Sequence, residues 1–176
     1  MLSLALLLLP LFALAAPSSE GQLATRSTPI KPNKAYTWIP TETETYEYIF
    51  DDGLRCNFLA ADNQTTANSD DCVNLQTDIF HNNGVWQMDG ITKPDDPNDW
   101  NLLGINGTCT ILVQNSSPTK IANGDASFCM SMGTWQQTRD RDWIEYKFYL
   151  VNDEGTMIDF WVRNTAGLDL SNIVGQ

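Results

Sequence analysis

Positive charge is scarce in this chain. Ten Lys and Arg stand against 22 Asp and Glu, a net charge of −12, and no basic run occurs. Nucleic acid and anionic lipid bind through clustered Lys and Arg, so neither is an expected partner. Histidine is scarcer still. His81 stands alone, and no Ser-His-Asp or Cys-His assembly has a matching set of spacings. No CxxC pair occurs, which argues against zinc and redox chemistry. The run Asp95 to Asp99 has the wrong alternation for an EF-hand and no downstream Glu. No metal site and no cofactor are therefore expected. After the N-terminal segment nothing stays apolar for the ~20 residues that a bilayer span needs. There is no internal repeat.

What is present begins with that N-terminal segment. Leu2 to Leu14 is an apolar run ending in small residues. It has the length of a signal-peptide core and is too short to span a bilayer. Cleavage after Ala15, with Ala13 third upstream of the bond, makes residues 1–15 a signal peptide. Neither Lys nor Arg precedes the run. Every charged residue follows the cut, so the mature chain keeps its net charge of −12. The expected location is secreted and extracellular, and the acidity reads first as solubility there.

About 160 residues remain, enough for one domain with its own core. Residues 16–40 are rich in Pro, Ser, Thr and Lys without a period and read as a flexible leader. The domain is expected over 41–165, with a frayed tail over 166–176. Four cysteines stand at Cys56, Cys72, Cys109 and Cys129. An even number in a secretory context favours two structural disulfides, and three connectivities are open. Three N-glycosylation sequons start at Asn63, Asn106 and Asn115, each in a polar, turn-rich stretch. Pro118 makes the third the weakest.

Periodicity places the elements. Thr41 to Phe50 alternates and reads as a strand, ended by Asp51-Asp52-Gly53. Asp70 to His81 reads as a helix capped by Ser69, with Asp70 and Asp71 in the dipole-favoured first turn. Its inward face takes Cys72, Val73, Leu75, Ile79 and Phe80. Val85 to Met88 and Thr108 to Gln114 read as strands, the second with Cys109, Ile111 and Val113 on one face. Trp143 to Val151 and Thr156 to Arg163 read as a closing hairpin, with a turn at Asn152 to Gly155. Residues 125–132 are ambiguous: Phe128, Met130 and Met132 alternate as in a strand, yet Asn123-Gly124-Asp125 looks like a helix start. The expected fold is α+β, one or two helices packed on an antiparallel sheet.

Reactive candidates are few. His81 sits where a cation suits a helix C-terminus. The adjacent acids Asp51/Asp52, Asp70/Asp71, Asp95/Asp96 and the pair Asp140 and Asp142 fit turns, caps and a solvated face. A retaining glycosidase needs two carboxylates about 5 Å apart across a sugar, which sequence neighbours on a strand do not provide. Six tryptophans are many for this length. Trp86, Trp135, Trp143 and Trp161 would stack on sugars if exposed in a row, although large aromatics more often fill a core.

In order and spacing, several segments resemble the fungal secreted effector domain family of the extracellular-protein-two, necrosis-inducing-factor type. They are Cys56, Ser69-Asp-Asp-Cys72, Gly84-Val-Trp86, Leu102 or Leu103, and Gly107-Thr-Cys109-Thr-Ile-Leu-Val113, then Ile121-Ala-Asn-Gly-Asp125 and Glu154-Gly-Thr-Met157. The resemblance spans roughly residues 55 to 160. It implies cysteines before the helix, opening it, and on the strand after Gly-Thr. Cys72 would then pair with Cys109, and Cys56 with Cys129. The chain departs from the pattern at its end: no cysteine follows Met157, and the fourth lies at Cys129, where the family places a second helix. The resemblance also implies a non-enzymatic effector or toxin-like protein acting on a host or microbial surface component, and the chain is expected to be a monomer. Some members are regarded as inducers of plant cell death. The alternatives are a small secreted hydrolase of cell-wall polymer, or a carbohydrate-binding module.

Overall fold

The computed structural model describes residues 29–43, 56–59, 66–93, 96, 98–139, 142–151 and 157–171. Among these residues, ten strands and two α-helices run in the order β1 (Thr37–Pro40), β2 (Asn57–Leu59), β3 (Ala67–Asn68), α1 (Ser69–His81), β4 (Gly84–Met88), β5 (Asn101–Asn106), β6 (Cys109–Asn115), β7 (Thr119–Ala122), α2 (Asn123–Thr138), β8 (Trp143–Ile144), β9 (Tyr146–Val151) and β10 (Met157–Asn164), with a 3-10 turn at Thr165–Gly167. They form an antiparallel five-stranded sheet in the order β2-β9-β10-β6-β5, a three-stranded sheet β1-β4-β7, and the pair β3-β8. The helices pack on these sheets and on each other. The α+β class is therefore as expected.

The final pair of strands organises the main core. Tyr146, Phe148 and Leu150 of β9 and Ile158, Phe160 and Val162 of β10 are buried, as alternation requires when one sheet face meets the helices. Phe148 lies opposite Phe160, their rings stacked 4.5 Å apart. Every residue of β6 is buried, not the inward set alone. The reason is a second, smaller apolar cluster on the other face of the sheet, where Leu112 packs with Ile30, Trp100 and Leu102.

That second cluster corrects both ends of the expected domain. Ile30 is buried and bridges to Leu168, and Asp169 N donates to Ile30 O at 2.8 Å. Leader residues from 29 onward and tail residues to 171 thus belong to the fold, because their few apolar side chains cover the outer sheet face. The expected strand from Thr41 is tested only at its first three residues. Strand β1 ends at Pro40, residues 41–43 are not in a strand, and 44–50 lie outside the described residues, as do the signal segment and the Asn152 to Gly155 turn.

Helix α1 starts where its charges predict, but Asn68 caps it, not Ser69: Asn68 Oδ1 accepts from Asp70 N at 2.8 Å. Of its expected inward face, Cys72, Leu75 and Ile79 are buried, while Val73 and Phe80 are exposed. The ambiguous segment belongs to α2. Asn123 joins the helices, its Nδ2 donating to Ile79 O and Phe80 O at 3.4 and 3.3 Å, so one side chain serves the orphan carbonyls of α1. Tyr146 holds α2 to the sheet by donating its hydroxyl to Met130 O at 2.8 Å. Glycine at 133 permits this approach, since a Cβ there would enter the Tyr146 ring.

Candidate functional site

Both disulfides tie a helix to another part of the fold. Cys72 at the start of α1 joins Cys109 at the start of β6, with Cα atoms 5.1 Å apart. Cys129 in α2 joins Cys56 just before β2, at 5.4 Å. A carboxylate strengthens the first junction. Asp71 accepts from Thr108 N at 2.7 Å and from Thr108 Oγ1 at 2.6 Å. These two bonds hold the Asp71 carboxyl below its ordinary range. They also require Gly107, which has φ 53° and whose Cβ would meet the same carboxylate.

The exposed side of α2 carries an apolar stripe among polar residues such as Ser131 and Gln136. Phe128, Met132 and Trp135 are exposed, and their spacing of four and three residues aligns them on one helix face. The Arg139 guanidinium lies over the Trp135 ring at 4.6 Å, continuing the stripe by one turn. The stripe sits on a firm base, because Cys129, Met130, Gly133 and Thr134 of the same helix are buried.

The outer face of the five-stranded sheet carries a second cluster, around Trp161. Its Nε1 donates to Glu145 Oε1 at 2.9 Å. Lys147 Nζ and the Arg163 guanidinium lie 4.3 and 4.0 Å from its ring centre. Glu145 and Arg163 are both buried. Burial lowers the Arg163 pKa, and the charge of Glu145 offsets part of that effect. Arg163 Nε is buried without a hydrogen-bond partner, so the Trp161 ring and the Glu145 charge compensate the guanidinium only in part.

The structure separates the sequence candidates. Trp86 is 5 % exposed and belongs to the core, and Trp161 is half-buried under its cations, whereas Trp135 and Trp143 are 56 % and 51 % exposed. His81 ends α1, with its ring edge-on to Phe80. Asp70 and Asp71 open α1, and Asp96 Oδ1 accepts from Asn98 N in a turn. Asp51, Asp52, Asp95 and Asp140 lie outside the described residues.

The sequons also part. Asn63 lies outside the described residues, and Asn106 is half-buried beside the β5–β6 turn. Asn115 is wholly buried; its Nδ2 donates to Gly90 O at 2.6 Å and to Ser117 O at 2.9 Å. Both amide hydrogens are engaged and solvent is excluded, so a glycan on Asn115 is incompatible with this fold. The expected third site is corrected on that ground.

Sequence reasoning missed the Glu145–Trp161–Arg163 cluster, because cross-strand neighbours are invisible before the register is known. It also missed the α2 stripe, although a helical reading of residues 125–132 would have lined up Phe128, Met132 and Trp135. Among the described residues, no helix is long and apolar enough to cross a membrane. Compared with known proteins, the chain matches no family model, and no curated protein is significantly similar to it.

Proposed function

We propose that this is a secreted effector or toxin-like protein that acts by binding a component of a host or competitor cell surface, as a monomer and without catalytic turnover. One observation carries the reading: the Phe128–Met132–Trp135 face of α2 is exposed on a helix that a disulfide anchors to the chain before the sheet. Adjoining exposed apolar residues on a rigid element are a common mark of an interaction surface. The resemblance to the fungal secreted effector domain points the same way, and the two disulfides suit an oxidising, extracellular setting.

The hydrolase reading has less support. The buried acids Glu145 and Asp125 sit against Trp161 and in the first turn of α2, respectively. A carbohydrate-binding reading draws on the exposed rings of Trp135 and Trp143.

Oxidised protein applied to plant tissue and to microbial cultures should provoke cell death or growth arrest. The double substitution Met132→Ala with Trp135→Ala should abolish that response while leaving the melting temperature near that of the parent. A silent response together with turnover in a panel of cell-wall polymers would replace this reading with the hydrolase. Retention on a polysaccharide, lost in Trp135→Ala and Trp143→Ala, would favour the carbohydrate module.

A further inference from the structure

A cleft of about 280 Å³ lies on another part of the molecule, between β1 and β4, helix α1 and strand β5. Trp38 and Trp86 form one wall. They are direct cross-strand partners, with ring centres 4.9 Å apart and planes inclined by 57°. Trp38 is the more accessible of the two rings, and Trp86, 5 % exposed, backs it from the core. Leu75, Ile79 and Leu103 add apolar surface. At Gly104 there is no side chain to fill the space, and a Cβ there would press on Leu75 at 3.0 Å.

Among the described residues, Asp78 is the single charged one lining this cleft. It is held in place: Asn106 Nδ2 donates to its Oδ2 at 2.8 Å, and Asn82 Nδ2 donates to its backbone carbonyl at 2.7 Å. Indole rings, aliphatic side chains and one exposed carboxylate, in a protein of net charge −12, favour a cation and disfavour an anion. Asp78 is exposed at the rim, where its charge attracts a cation and gives a neutral ligand nothing. A primary ammonium needs several acceptors to replace its water, and among the described side chains lining the cleft only Asp78 and Asn82 carry one. A methylated ammonium needs none, and its methyl groups match the rings and aliphatic side chains.

We propose that the Trp38–Trp86–Asp78 cleft binds a quaternary ammonium group, carried either by a small soluble molecule or by a choline lipid headgroup. This site is distinct from the α2 stripe, so its failure leaves the effector reading intact, and the reverse also holds.

The test is calorimetric titration of the intact oxidised protein with tetramethylammonium and choline, beside the neutral choline isostere 3,3-dimethylbutanol. The cations should saturate one site and bind roughly tenfold more tightly than the isostere. Asp78→Asn keeps an acceptor for Asn106 and should lose roughly tenfold for the cations while leaving the isostere unchanged. Ile105→Lys, at an exposed rim position, should abolish cation binding without unfolding the protein. Flotation with phosphatidylcholine vesicles, but not phosphatidylglycerol vesicles, would assign the lipid source. Soluble binding without flotation would assign the free molecule. Equal affinity for the neutral isostere, unchanged cation binding by Asp78→Asn, or no saturable binding would overturn the proposal.

Discussion

Asp159 shows how a single side chain is set by its surroundings. It lies half-buried on β10, opposite Tyr149 and Gln114. Burial raises its pKa, and the Lys147 charge draws it back only in part. A carboxyl with a raised pKa binds its proton more tightly in the folded state than in the unfolded chain. Its contribution is therefore fully present below the unfolded value of about 3.9 and is lost as pH rises through the higher folded value. Asp159→Asn should raise Tm by roughly 1–2 °C at neutral pH, with the gain vanishing below pH of about 4. Thermal melts of both proteins across that range check this, and a lower Tm for the variant at pH 7 would show that attraction to Lys147 outweighs burial. Nothing in the local sequence announces the effect. Lys147 is twelve positions away in the chain and becomes a neighbour only through the β9–β10 register.

The elements differ in how much of themselves the sequence discloses. Helix α1 and strands β9 and β10 were legible because each buries one regular face and the apolar pattern follows the backbone period, while β4 was legible as a short apolar run and β6 by its alternating sequence, although all of it is buried. Helix α2 was not. Its first turn is buried on all sides, with Asn123, Gly124, Asp125, Ala126 and Ser127 inaccessible. Periodicity has no exposed face to contrast with there. The strands β1, β5 and β7 were missed because they are short or closely follow turns. The cross-links join these elements across long stretches of sequence. Cys72–Cys109 closes a separation of 37 residues and Cys56–Cys129 one of 73. By loop-closure entropy each stabilises the fold by about 4 kcal/mol. The double variant Cys72→Ala with Cys109→Ala should lose about that much in urea unfolding. A loss below about 1 kcal/mol would mean that packing of α1 alone holds the junction.

For the whole molecule, charge sets what it avoids and the tertiary structure sets what it presents. With a net charge of −12, the protein should pass unretained through heparin at physiological salt and bind an anion exchanger. Retention on heparin would reveal a basic face that the composition does not suggest. Composition, periodicity and cysteine count by themselves determined the acidic surface, the α+β class and an even set of cross-linkable thiols. These properties depend on residue totals or on one strand or helix at a time. The tertiary structure decided that residues 125–132 are helical, that both faces of β6 are covered, that Asn115 is sealed from solvent, and that Trp38, Trp86 and Asp78 border one cleft. Each of those outcomes depends on contacts between segments far apart in the chain, and such contacts exist only once the backbone has closed.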